Sequence, residues 1–170
     1  MMLKSVVNDV KLSEKEFRTI SDLVYKHCRI NLHDGKKELV RARLAKRLRT
    51  LNIPTFAEYI DFAVNDSTGE EFTLLVDSIS TNLTSFFREK KHFEHLSNIF
   101  LPHSIELKRS SNDHTIRGWS AGCSSGEEPY SIAITLLEAL SCETRMNAKV
   151  LATDISTRVL AKAKAGVYEE

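Results

Sequence analysis

The chain has 170 residues, 42% of them hydrophobic and 28% charged, and a formal net charge of +1 at pH 7. This composition excludes disorder as the default and predicts one folded domain or two small ones, while the near-neutral charge excludes polyanion binding by the chain as a whole. No apolar run approaches the roughly 20 residues that span a bilayer, and the first ten residues lack the apolar core of a signal peptide, so we expect a cytoplasmic protein without membrane insertion.

Amphipathic helices are predicted throughout the first 81 residues. The first begins at Ser13, which can cap the helix while Glu16 completes a capping box three residues later. Apolar residues then recur at helical spacing, with a turn expected over 31–35. The predicted helices cover residues 13–27, 36–51, 55–65 and 70–80. Helices of this kind pack as a small bundle, so we expect an all-α domain that ends near Thr81.

The rest of the chain predicts helices and two strands. A helical pattern passes through Phe93 and Leu101, and Pro102 is expected to end or bend it. A polar loop over 108–114 precedes the first strand. The strands are predicted over 115–120 and 148–153, with a buried helix over 127–140 between them and a further helix over 157–165 after Ser156. Strand, helix and strand in this order build a right-handed parallel unit, which predicts an α/β fold.

The helix predicted over 36–51 carries an apolar stripe and a strongly basic remainder. Its basic residues are Lys36, Lys37, Arg41, Arg43, Lys46, Arg47 and Arg49. The simplest interpretation is a solvated amphipathic helix. From the residues alone, binding of DNA or RNA is as good a hypothesis as binding of an acidic protein, although the apolar stripe has to be buried somewhere.

A turn of small residues, 122–126, joins the first strand to the buried helix. Residues 118–122 match the G-x-S-x-G nucleophile elbow of serine hydrolases, but no histidine follows Ser120 to complete a triad. The turn also lacks the Lys-Ser/Thr pair of a phosphate loop, and only Gly122 and Gly126 remain of a dinucleotide fingerprint. These three kinds of site are therefore disfavoured.

Carboxylates beside this turn favour a cationic cofactor without phosphate. Glu127 and Glu128 start the helix, where they suit the helix dipole but would repel a pyrophosphate. S-adenosylmethionine fits these acids because it carries a sulfonium and an ammonium, and Asp154 at the end of the second strand can hold its ribose. No metal site is predicted, since the three cysteines form neither a CxxC pair nor a Cys/His ligand spacing.

Three blocks of sequence, over 81–89, 119–133 and 152–155, resemble the CheR family of chemotaxis receptor methyltransferases. With the basic helix, the similarity covers nearly the whole chain from about Leu12 onward. Enzymes of this family transfer a methyl group from S-adenosylmethionine to glutamate side chains of chemoreceptor helices, forming methyl esters and S-adenosylhomocysteine. The resemblance implies an amino-terminal all-α helical bundle followed by a partial Rossmann-like methyltransferase domain with parallel strands.

The resemblance also implies roles for individual residues. The expected cofactor contacts are Asn82, Thr84, Arg88, Glu128 and Asp154. Arg88 is further expected to be the catalytic residue, because its guanidinium would orient the attacking glutamate carboxylate. Without the family, Asn82 and Thr84 would be interpreted as helix caps and Arg88 as half of a surface ion pair. No general base is required, since glutamate is already ionised at neutral pH.

In relatives the helical domain helps to hold the receptor, so the basic helix is the expected docking face for methyl-accepting chemoreceptor cytoplasmic helices rather than for nucleic acid. The residues assigned to this face are Arg41, Arg43, Lys46, Arg47 and Arg49. Reversing Arg43 and Arg47 is expected to weaken receptor methylation and to leave cofactor affinity unchanged. The expected organisation is a docking domain over 1–81, a linker and connecting helix over 82–112, and a partial cofactor-binding domain over 113–170.

Relatives continue with further strands and helices, and two strands alone would leave an apolar sheet edge exposed. We therefore expect little or no transferase activity from the 170-residue chain unless a second copy completes the sheet by self-association. The alternative is a non-catalytic receptor-binding module that keeps the docking helices and a degenerate cofactor lobe.

Overall fold

The computed structural model describes residues 10–169, and the chain divides into two compact units between Thr81 and Asn82. The first unit is all-helical, and the second contains a two-stranded parallel sheet with helices. The predicted fold class, a helical bundle followed by a unit with parallel strands, is confirmed. Within the described residues, no helix has the length and apolar character needed to cross a membrane.

Four α-helices share one core in the first unit. They are α1 (Glu14–Cys28), α2 (Lys37–Leu51), α3 (Phe56–Asn65) and α4 (Glu70–Ile79), with a 3-10 turn (Asp34–Lys36) before α2. The predicted capping box is present, since the Ser13 hydroxyl accepts from the Glu16 amide and the Glu16 carboxylate accepts from the Ser13 amide at 2.8 Å. Phe17, Leu44 and Phe56 come from three different helices and are fully buried, so burial of apolar surface holds this unit together.

A buried carboxylate links three of these helices. Glu71 of α4 is only 5% exposed, and its Oε1 accepts from the Tyr59 hydroxyl of α3 at 2.9 Å. Arg47 of α2 forms a bidentate ion pair with the same carboxylate, with Nε donating to Oε1 at 2.8 Å. Burial and the neighbouring Glu71 charge raise the pKa of Tyr59, which keeps this hydroxyl a donor. The basic helix is therefore tied to the core by one of its own arginines.

An interrupted helix begins the ordered secondary structure of the second unit. Helix α5 (Lys90–His95) continues through a π-helical turn (Leu96–Phe100) into α6 (Leu101–Arg109). Of the two outcomes expected at Pro102, an end or a bend, the end does not occur, and residues 108 and 109 of the predicted loop belong to α6. Proline lacks an amide donor and clashes with the carbonyl four residues earlier, and the π turn, in which the Leu101 amide bonds to the Leu96 carbonyl, shifts the hydrogen-bond ladder just before it.

The sheet consists of β1 (Thr115–Ala121) and β2 (Asn147–Thr153), which are parallel. Helix α7 (Glu127–Ala139) connects them, and α8 (Thr157–Ala165) follows β2. On one face Ile116 packs into a core with α6 and α7, whereas on the other face Trp119 and Leu151 are 66% and 59% exposed. Because both strands run in the same direction, the turn after β1 and the residues after β2 meet at one edge of the sheet.

Candidate functional site

The turn over 122–126 folds back onto the end of β2. The amides of Gly122 and Cys123 donate to the Thr153 carbonyl at 2.8 and 2.9 Å. Gly122 has φ +85°, a conformation that L residues rarely adopt, and a β carbon at this position would meet no atom within 4 Å. The turn is thus fixed to the sheet while the space beside Gly122 stays open.

Asp154 organises the same edge through backbone amides. Its Oδ2 accepts from the Ser124 amide at 2.8 Å, and its Oδ1 accepts from the Ser156 amide at 2.9 Å. Burial raises the pKa of the Cys123 thiol, and the negative charges of Asp154 and Glu128 raise it further. Two carboxylates therefore make the potential around the turn negative, which suits a cationic ligand and disfavours a phosphate.

Each glutamate at the start of α7 is paired with a serine. The hydroxyl of Ser120, which is 1% exposed, donates to Glu128 Oε1 at 2.6 Å. The hydroxyl of Ser125 donates to Glu127 Oε2 at 2.7 Å. Ser120 lies inside β1 and its hydroxyl is committed to a carboxylate, which is not the exposed position of a nucleophile elbow. These bonds place Glu128 over the strand end and Glu127 against the turn.

Asn82 meets the turn from the extended segment that opens the second unit. Its carbonyl accepts from the Ser124 hydroxyl at 3.1 Å. Its side-chain Nδ2 is buried and has no hydrogen-bond partner among the residues described here. Such unpaired buried donors are rare and unfavourable in folded proteins. Since α5 begins only at Lys90, with Glu89 as the residue before it, Asn82 is not a helix cap.

Arg88 and Thr84 lie in the same segment. Arg88 is exposed, and its Nη1 donates to the Leu83 carbonyl at 2.7 Å. No ion pair of Arg88 occurs within residues 10–169, so the surface-pair alternative is not observed. Thr84 is half-buried. The backbone of the segment is also attached to α7, because the Phe87 amide donates to the Ser131 hydroxyl at 3.0 Å.

Two of the predicted docking residues are used inside the first unit. Arg43 Nη1 donates to the last carbonyls of the α4 region, those of Ile79 and Ser80, at 2.8 and 2.6 Å. Arg47 holds the buried Glu71. Reversing these two arginines would therefore disturb the fold, and the experiment expected from the sequence does not isolate docking.

The other three docking residues lie nearer to solvent. Arg41 Nε donates to Glu38 Oε2 at 2.8 Å, one turn earlier on α2. Lys46 and Arg49 are exposed. Lys46 is therefore a better position than Arg43 or Arg47 for testing an interaction with an acidic partner.

Sequence reasoning missed the supporting residues of the site. The sequence motif presents Ser120 only as a candidate nucleophile and gives no role to Ser124. No pattern in the sequence points to Tyr168, whose hydroxyl donates to the Ser125 carbonyl at 2.8 Å. The one signal available was the set of serines around the turn, because small hydroxyl side chains near carboxylates often hold them in place.

The residues at this edge fit S-adenosylmethionine better than the alternatives. They provide two carboxylates, an unpaired buried amide donor on Asn82 and open space at Gly122. In the described part of the chain, no cluster of three or more metal-binding side chains is present. The donor set matches a ligand that has hydroxyls and positive charge and has no phosphate.

Comparison with known proteins assigns the same two units. The family profile described as "CheR methyltransferase, all-alpha domain" matches residues 15–80, and "CheR methyltransferase, SAM binding domain" matches residues 82–170. A chemotaxis protein methyltransferase of Borreliella burgdorferi is 43% identical over 164 residues, 95% of this chain and 58% of that relative. That of Escherichia coli is 38% identical over 167 residues, 98% of this chain and 55% of the relative. The chain spans about half the length of the curated relatives it matches.

Proposed function

The chain belongs to the CheR methyltransferase family, and from this membership we propose that it takes part in methylating glutamate side chains of chemoreceptors. S-adenosylmethionine is the cofactor indicated by the matched domain. The observation that best supports its placement beside the turn over 122–126 is the buried Asn82 Nδ2, which lacks a partner in residues 10–169. A ligand acceptor at this position would satisfy it.

The proposed cofactor contacts divide by chemistry. Asp154 uses one lone pair of each oxygen on a backbone amide, so both oxygens remain able to accept from ribose hydroxyls. Glu128 is exposed and fixed by Ser120, which suits it to a positively charged part of the ligand. Asn82 and Thr84 supply polar groups from the opening segment. Glu128 is preferred to Glu127, because the Glu127 carboxylate accepts from Ser125 within the turn.

When bound, S-adenosylmethionine supplies a methyl group that a substrate carboxylate oxygen takes up as the carbon–sulfur bond breaks, leaving neutral S-adenosylhomocysteine. The chain itself contributes by positioning the substrate carboxylate against the methyl group and by excluding water from the site. Arg88 is the proposed catalytic residue, since its exposed guanidinium is free to exchange the Leu83 carbonyl for a glutamate carboxylate. A bidentate arginine fixes the plane of the attacking carboxylate. No base has to act, because that carboxylate is ionised at neutral pH.

The helical unit is proposed to hold the receptor. The residues assigned to its docking face on α2 are Arg41, Arg43, Lys46, Arg47 and Arg49, and of these Arg41, Lys46 and Arg49 are the ones proposed to meet the receptor, because Arg43 and Arg47 hold the unit together. Positive charge on this helix complements acidic receptor helices and accelerates their encounter. In this proposal residues 1–81 dock the receptor, 82–112 connect, and 113–170 contribute to the cofactor site.

Transfer of a labelled methyl group to receptor fragments tests the proposal. The 170-residue chain and a full-length relative are incubated with labelled S-adenosylmethionine, and base-labile methyl esters are counted. We expect esters that disappear when receptor glutamates are replaced by alanine, at a lower rate for the 170-residue chain because Trp119 and Leu151 leave one sheet face open to water. Arg88→Ala should reduce transfer at least ten-fold, whereas Arg145→Ala, at an exposed position of the same unit, should not.

The alternative candidate is a receptor-binding module without transfer. It predicts that the chain binds receptor fragments but neither binds cofactor nor forms esters.

Self-association through the two-stranded sheet belongs to the main proposal, and sedimentation equilibrium tests it directly. A strictly monomeric chain with full transfer activity would contradict the expectation that a second copy is required.

A further inference from the structure

Two tyrosines of the second unit link α7 and the turn before it to α8 and the residues just after α8. The hydroxyl of Tyr130, in the first turn of α7, donates to the Ala163 carbonyl of α8 at 3.1 Å. The hydroxyl of Tyr168, two residues beyond the capping Gly166, donates to the Ser125 carbonyl at 2.8 Å. The two rings meet edge to face, with centroids 5.6 Å apart. These two hydrogen bonds therefore hold α7 and the turn before it against α8 and the segment that follows α8.

The close approach at Gly126 shows how tightly Tyr168 covers the turn. Gly126 has φ +107°, and a β carbon there would lie 2.3 Å from the Tyr168 hydroxyl and 2.9 Å from Ala163 Cα. The Phe86 ring packs on the Tyr168 ring with centroids 4.9 Å apart and an interplanar angle of 86°. Tyr168 is therefore held by the opening segment and by α7, and it holds the turn in return.

We propose that Tyr168 is a positioning residue for the cofactor site, because its hydroxyl fixes the Ser125 carbonyl and so keeps the turn in the form that presents the Ser124 amide to Asp154. The inference rests on the proposed function, since it requires the ligand to bind beside this turn. Tyr168 acts through Ser125 and does not itself contact the ligand.

Loss of this hydroxyl has a specific kinetic signature. A turn that samples other conformations binds ligand only in its ordered fraction, so the apparent association rate falls while the dissociation rate of the complex stays the same. A direct ligand contact would instead show in the dissociation rate. A merely structural role would lower the melting temperature and leave the association rate of the folded protein unchanged.

The test compares Tyr168→Phe, which keeps the ring, with Tyr25→Phe, which removes a hydroxyl from a half-exposed tyrosine of the first unit. Association and dissociation of S-adenosylhomocysteine are measured by biosensor on the immobilised chain. We expect Kd about five-fold higher in Tyr168→Phe, almost entirely through slower association, and no change in Tyr25→Phe. Backbone amides of the turn should also exchange hydrogen faster in unliganded Tyr168→Phe.

Unchanged affinity and exchange in Tyr168→Phe would overturn the inference, as would a loss confined to the dissociation rate. Absence of binding by the unmodified chain would count against the proposed function instead. Hydrogen exchange of the unliganded protein would then still decide whether Tyr168 orders the turn.

Discussion

The side-chain amide of Asn82 is the single group on which the cofactor assignment depends most. Its backbone carbonyl is bonded by Ser124, whereas its Nδ2 is buried without a partner in the described range. An unsatisfied buried donor costs about 1–3 kcal/mol, which a ligand acceptor would recover. Stability and ligand binding should therefore respond differently to removal of this amide.

Replacement of Asn82 by leucine, which has a similar shape, separates the two effects. We expect Asn82→Leu to bind S-adenosylhomocysteine about ten-fold more weakly and to melt at the same or a higher temperature than the unmodified protein. Titration calorimetry and thermal unfolding provide the two readouts. Asn147→Leu, at an exposed position of β2, is the control and should retain affinity. Normal affinity in Asn82→Leu would argue against a ligand at this amide.

Sequence reasoning reached some of these residues and missed others for physical reasons. The position of Asp154 beside the turn was predictable because the order of strand, helix and strand brings the ends of parallel strands to one edge. The bond from Ser120 to Glu128 was not, because it depends on which face of β1 turns toward α7. Whether a strand side chain bonds to a side chain of the next helix depends on how the two elements are oriented, and the sequence pattern does not give that orientation.

Helix α2 is the element whose charged residues have a different role in the structure from the one that the sequence predicts. Its charges predict a solvated or docking surface, yet Arg47 neutralises a carboxylate that is 5% exposed. Glu71 lies 24 residues away along the chain, so only the packing of α2 against α4 brings the two together. The predicted apolar stripe of the helix is Val40, Leu44, Leu48 and Leu51; the first three are fully buried, and Leu51 is half-buried against the same core.

Neighbouring alanine substitutions distinguish the structural from the surface charges of α2. Arg47→Ala should destabilise the first unit by about 3 kcal/mol, because it leaves the Glu71 carboxylate buried without a counter-ion. Lys46→Ala, one position earlier and exposed, should stay within about 0.5 kcal/mol. Urea unfolding followed by circular dichroism measures both. If Lys46→Ala also slows receptor methylation, its effect can be assigned to docking; equal stabilities of the two variants would refute the structural role of Arg47.

The junction between α6 and β1 is fixed by a second acid. Lys108 and Arg117 both donate to Asp113 Oδ2 at 2.7 Å, and these bonds, with one from the Thr115 amide, lower the pKa of Asp113 well below 3.8. A lowered pKa in the folded state stabilises the protein above the unfolded value, and this contribution is lost as the pH falls through the folded value.

Asp113→Asn should therefore lower the melting temperature at pH 7, and the difference from the unmodified protein should hold down to about pH 4 and shrink below it. Glu138→Gln removes an exposed carboxylate from the same unit and serves as the control for lost charge. Thermal unfolding between pH 2 and pH 7 measures the effect. A difference that grows below pH 4 would contradict a stabilising role of the ionised Asp113 carboxylate.

The secondary-structure class of each of the two units was predictable from the sequence. The point at which the interrupted helix ends and the contacts between distant residues were not. Periodicity identified the four helices of the first unit, the polar loop before residue 115 marked the first strand, and a short apolar run identified the second. Pro102 misled because proline usually ends a helix, whereas a π turn before it lets the helix run on to Arg109. The hydrogen bonds of Tyr130 to α8 and of Tyr168 to the turn join residues 33 and 43 positions apart in sequence, beyond any local pattern.

Calorimetric titration of the 170-residue chain tests whether the edge formed by the turn over 122–126 and Asp154 binds S-adenosylmethionine. We expect saturable binding of S-adenosylmethionine and S-adenosylhomocysteine that is lost in Asp154→Ala, weakened in Asp154→Asn, and kept in Asp22→Asn, an exposed site on α1. Absence of binding by the unmodified protein, or equal affinity in Asp154→Ala, would contradict binding at this edge.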